Sequence, residues 1–79
     1  MKEPTAVAFG KALRKARKAF DLSQEDLGIR AGLQQKSISF LELGEKQPTI
    51  TTVFKLAAAL NMRPKRLVEL VEEEFEDTL

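Results

Sequence analysis

The stretch that decides the fold is LSQEDLGIRAGLQQKSISFLELG, residues 22–44. Within Ser23-Gln24-Glu25-Asp26 the serine hydroxyl can accept a hydrogen bond from the amide three residues on. Asp26 sets a negative charge in the first turn, where it complements the helix dipole. A short helix over Gln24 to Ala31 follows. Gly32 stands just past its last periodic residue, the usual place for a left-handed stop, so the chain turns sharply and another helix must begin almost at once. Steps of about 100° from Gln34 to Leu43 put Gln34, Ser37, Ile38 and Leu41 on one side, with Leu33 packing just ahead. Gln35, Lys36, Ser39, Phe40 and Leu43 fall on the other. Two short helices joined by a tight turn describe a helix-turn-helix whose second helix presents its outward face.

The flanks are helical too. Phe9, Leu13, Ala16 and Phe20 recur at spacings of four, three and four, with Pro4-Thr5 as the start signal, which predicts a helix from about Ala6 to Phe20. Gly44 ends the outward helix and Thr49 caps the next, whose apolar surface is Ile50, Val53, Phe54, Leu56, Ala57 and Leu60 and whose end is Asn61. Pro64 suits the first position of a fifth helix, striped by Leu67, Leu70, Val71, Phe75 and Leu79. No strand signal and no repeat is present. The expectation is an all-α, five-helix domain occupying the whole 79 residues, with the helix-turn-helix at about 23–43 and the last helix at about 64–76.

Composition narrows the function. Apolar residues at 43% and charged residues at 32% are globular proportions. Absence of Cys and His removes disulfides, thiol nucleophiles, the usual zinc ligands and every His-based triad, so neither a metal site nor a cofactor is expected, and an enzyme is not the reading. The longest apolar run, Leu56 to Leu60, is far below the roughly 20 residues a membrane span needs, which with the missing cysteines suggests a reducing cytoplasm. No second domain is expected to sense a small-molecule ligand.

Net charge of +1 conceals a division. Lys2, Lys11, Arg14, Lys15, Arg17 and Lys18 face only Glu3 in residues 1–20, whereas Glu69, Glu72, Glu73, Glu74, Glu76 and Asp77 stand unopposed in residues 67–79. A basic body suits a polyanion, because clustered cations release condensed counterions on binding.

The sequence resembles the phage-repressor and Cro-like helix-turn-helix proteins, the XRE family, in Leu22-Ser23-Gln24-Glu25-Asp26-Leu27, Ala31-Gly32-Leu33, Ser37-Ile38-Ser39, Leu41-Glu42 with Gly44, Pro48-Thr49-Ile50 and Leu56-Ala57-Ala58-Ala59-Leu60. It is similar in size to the small controller proteins of restriction-modification systems. The resemblance implies a lambda-repressor-like fold and a regulator of transcription that binds double-stranded DNA. By the same resemblance Gln24 contacts a phosphate, Gln35 and Lys36 reach base edges, Lys46 touches phosphate with Arg14 extending that surface, and Arg17 and Glu42 form an internal salt bridge. The resemblance also gives Thr49 a phosphate through the start of its helix, although capping explains the residue as well. A glutamine amide suits adenine N6 and N7, and a lysine suits guanine O6 and N7. Ser39, one turn on, can reach a base or a phosphate, and Phe40 can pack on a thymine methyl.

Phe40 and Leu43 depart from the family's polar pattern. They leave open a different class of function, a protein-interaction module of adaptor or antitoxin-like kind that uses this face. Leu67, Leu70, Val71 and Phe75 extend the fifth helix's stripe beyond what four small helices cover, so the expectation is a symmetric homodimer packed through that helix, reading a near-palindromic operator.

Overall fold

In a computed structural model, residues 2–78 are described, with side chains through Glu76. Leu79, expected on the last stripe, lies outside the described residues. Five helices follow in order: α1 Pro4–Ala19, α2 Gln24–Ala31, α3 Gln35–Glu42, α4 Ile50–Ala59 and α5 Pro64–Thr78, with no strand among the described residues. The all-α expectation holds.

Boundaries follow local chemistry. α1 begins earlier than Ala6 because the Glu3 carboxylate accepts from the Ala6 amide at 2.8 Å and Pro4 takes the first helical position, where a missing N–H costs nothing. That bond lowers the Glu3 pKa below the ordinary carboxylate range. α2 opens with a complete capping box: Ser23 Oγ accepts from the Asp26 amide at 2.9 Å, and the Asp26 carboxylate accepts from the Ser23 amide at 3.2 Å. Asp26 is likewise held below the usual carboxylate range by its bonds to Ser23. Gly32 closes α2 at φ 71°, ψ 33°, the left-handed geometry expected of it. α4 ends earlier than expected, at Ala59, and Asn61 turns the chain at φ 56° toward Pro64.

Each helix sends one large side chain to the centre. Leu13, Leu27, Ile38, Leu56 and Leu67 are fully buried, and Phe9, Leu41 and Leu60 join them in one cluster. α3 packs between α1 and α2, α5 lies against α1 and α4, and α2 rests on α4. α1 meets α3 where Gly10 sits: a Cβ there would stand 2.5 Å from the carbonyl oxygens of Leu41 and Glu42. Only hydrogen fits, so the backbones touch.

Two expectations need correction. Leu67, assigned to a subunit interface, is wholly inside its own chain because α5 tucks its Leu67 stripe under α1 and α4. Ile50 and Phe54, read as part of one apolar surface with Val53, Leu56, Ala57 and Leu60, are 69% and 55% exposed, since only the latter four face the core.

Candidate nucleic-acid interface

α3 exposes Gln35 and Lys36 at its amino end, shortly after the turn set by Gly32. Ile38 and Leu41 anchor the opposite side in the core, which fixes the roll of the helix and hence where Gln35 and Lys36 stand. Gln34, expected on the inner side, is the exposed N-cap instead and makes no side-chain capping bond. Ser39 and Phe40, expected to face outward, are half-buried. Lys36 lies over the Phe40 ring, its Nζ 5.8 Å from the centroid. Leu43 remains 51% exposed.

The internal salt bridge has the expected partners. Arg17 Nε donates to Glu42 Oε2 at 2.6 Å and Nη2 to Oε1 at 3.0 Å, while Nη1 donates to the Leu22 carbonyl at 2.8 Å. Both side chains are nearly buried, and the Glu42 carboxylate raises the Arg17 pKa above its ordinary value. Gln24 joins the same network, which no pattern in the sequence signals: its Nε2 donates to Glu42 Oε1 at 3.1 Å. One amide hydrogen of Gln24 is thereby committed to holding α2 against α3, and the second is left for another acceptor.

Beside α3 a shallow depression gathers Ser37, Lys46, Gln47, Thr49 and Thr52. Lys46 and Thr49, assigned separately to phosphate, therefore share one flank of the helix. Gln47, which the sequence presents only as loop, lies with them. Thr49 is occupied as a cap, its Oγ1 accepting from the Thr52 amide at 3.1 Å, so any phosphate there meets the backbone amides that open α4 rather than the hydroxyl. Arg14 stands exposed on α1, one turn before Arg17. The loop after α3 is steadied by Lys2, whose Nζ donates to the Leu43 carbonyl at 2.6 Å.

The arrangement is an exposed amide and ammonium at the amino end of a helix anchored in the core, with Lys46, Gln47 and the start of α4 gathered beside the same helix. Among the described residues, no group of acidic, Cys or His side chains could hold a metal, and no helix is long and apolar enough to cross a membrane.

The chain belongs to the helix-turn-helix family, whose sequence pattern matches residues 13–67. Its relatives place it more closely. It is 34% identical over 64 residues to an uncharacterized HTH-type transcriptional regulator of Sinorhizobium fredii, covering 81% of this chain and 83% of that one. It is 31% identical over 63 residues to another of Archaeoglobus fulgidus, covering 80% and 89%. Among solved structures it is similar to the restriction-modification controller protein C.AhdI of Aeromonas hydrophila, with 37% identity and a TM-score of 0.76 over 78% of this chain and 94% of that one. The clp gene regulator ClgR of Corynebacterium glutamicum shares the fold at 18% identity, with a TM-score of 0.90 over 99% of this chain and 83% of that one.

Proposed function

We propose that this protein is a cytoplasmic, sequence-specific DNA-binding regulator of transcription that acts as a homodimer on a near-palindromic operator. The observation that carries the reading is the exposed Gln35 and Lys36 pair, set at the tip of α3 by core anchors directly behind it. Gln35 and Lys36 read base edges, with Ser39 and Phe40 behind them. Gln24, Lys46, Arg14 and the start of α4 at Thr49 hold phosphates. No cofactor, metal or small-molecule effector enters, and occupancy follows protein concentration and dimerisation.

The dimer surface is narrower on α5 than its stripe suggests. Leu67 is enclosed, and Leu70 lines a groove toward α1 with Ala12, Ala16 and Met62. Val71 and Phe75, half-buried, share a helical flank with the 45% exposed Val68. Ile50 and Phe54 add an exposed apolar stripe on the neighbouring α4. Pairing these faces across a two-fold axis covers side chains that are otherwise uncomfortable in water, and sets the two α3 helices against half-sites about 34 Å apart.

Selection from a random duplex library, followed by titrations at two salt concentrations, tests the reading. A palindromic motif that the Gln35→Ala/Lys36→Ala variant no longer prefers, with its salt-dependent background retained, supports it. A folded protein that enriches no motif overturns it. The protein-interaction alternative keeps only Leu43, the 51% exposed C-cap of α3, because Phe40 is half-buried beside Lys36.

A further inference from the structure

Resting on the DNA-binding reading, we infer that Lys36 and Phe40 act as one reading unit. The ring fixes where the ammonium stands and itself meets a thymine methyl, so each half-site carries a guanine and a thymine within about two base pairs of each other.

The geometry is specific to this pair. Lys36 and Phe40 are four residues apart on α3, so their side chains share a face. Phe40 is half-buried, which restrains its ring, and the ring's π-face holds Lys36 Nζ at 5.8 Å, inside the roughly 6 Å reach of a cation–π contact. A lysine on a solvated helix otherwise samples its flexible four-carbon stem with the ammonium fully hydrated. Here the ammonium is drawn along the helix toward its carboxyl end before any partner arrives. Gln35, one residue earlier, points about 100° away and lies over no ring.

Two chemistries therefore reach the groove at a fixed spacing. The ammonium donates to guanine O6 and N7, the two acceptors guanine offers in the major groove. The exposed part of the ring offers apolar contact to the C5-methyl of thymine, the one apolar group on any base edge there. Base pairs rise about 3.4 Å, so a donor 5.8 Å from the ring centroid and the ring itself span no more than about two base-pair steps. Phe40 is thus a positioning residue for Lys36 as well as a contact, and its π-face matters separately from its bulk.

The test uses the enriched duplex, with thymine replaced by deoxyuridine to delete the methyl, or guanine by 7-deazaguanine to delete the N7 acceptor. Full-length wild type, Phe40→Ala, Phe40→Leu and Phe40→Tyr are titrated, with thermal melts to confirm folding. Methyl deletion weakens wild type about fourfold, the value of one buried apolar carbon, and leaves Phe40→Ala unaffected. Loss of N7 weakens wild type roughly fivefold, less in Phe40→Leu, and as much as wild type in Phe40→Tyr, which restores the π-face. A motif with no guanine and thymine within about two base pairs of each other, or folded Phe40→Leu discriminating guanine as well as wild type, overturns the unit while leaving the DNA-binding reading intact. Absence of any motif removes both.

Discussion

Arg17 and Glu42 meet in a two-pronged pair, Nε to Oε2 at 2.6 Å and Nη2 to Oε1 at 3.0 Å, that ties the first helix to the end of the third. Because Gln24 donates to the same carboxylate, one acidic side chain holds the relative positions of α1, α2 and α3. Removing Glu42 strands a guanidinium that is nearly out of water. Glu42→Ala or Arg17→Ala should therefore lower unfolding free energy by about 3 to 5 kcal/mol, read by urea denaturation, with DNA affinity lost in proportion to the unfolded fraction. An apolar pair of matched size at both positions should recover much of that stability. Loss of binding in a variant that stays fully folded would instead make the pair part of the contact surface.

Gly10→Ala inverts the usual helix preference. In an exposed helix the change gains roughly 1 kcal/mol. Here the new methyl would meet the Leu41 and Glu42 carbonyls at 2.5 Å, forcing α1 off α3. We expect a net loss of about 1 to 3 kcal/mol and a displaced Arg17–Glu42 pair, visible as a lower melting temperature.

Leu67 and Val68 are neighbours with opposite fates. Leu67→Ala empties a fully buried site and should cost about 2 to 5 kcal/mol of stability without altering the self-association of the folded fraction. Val68→Asp, at a 45% exposed position, should leave the melt of the monomer nearly unchanged and shift sedimentation toward monomer. If Val68→Asp remains as dimeric as wild type, the α4–α5 face is not the interface.

Salt should act steeply on operator binding. With roughly 6 to 10 phosphates held per dimer, log affinity should fall against log salt with a slope on the order of −5 to −9, and Lys46→Ala should flatten it by about two, one contact in each subunit. Fluorescence anisotropy over a range of potassium chloride reads this directly.

Acid should loosen two helix starts. The Glu3 and Asp26 carboxyls are held below the ordinary carboxylate range by their capping bonds, so their folded pKa values lie under the unfolded ones. Their contribution is present above the unfolded value, about pH 4, and is lost as pH falls through the folded values. Glu3→Gln and Asp26→Asn should lower the melting temperature near neutrality and flatten its decline below about pH 4, where variants and wild type converge.

The sequence by itself determined the helices and their order, because the signals involved are local. The serine-to-aspartate spacing at Ser23 closes a capping box, Gly32 supplies a left-handed stop, and three- and four-residue spacings select which apolar residues share a face. The Arg17–Glu42 pair was legible only through a family resemblance, and Gln24's bond to Glu42 was not legible at all, since 18 residues separate them and nothing periodic links them. Tertiary structure alone decided which apolar residues are covered. A stripe records that side chains share a face but not how much surface the neighbouring helices supply. For that reason Leu67 is enclosed, Ile50 and Phe54 are exposed, and Phe40 sits half-sunk beside Lys36. Gly10 has the same cause: a glycine within a helix reads as a weak point until another backbone is seen pressed against it.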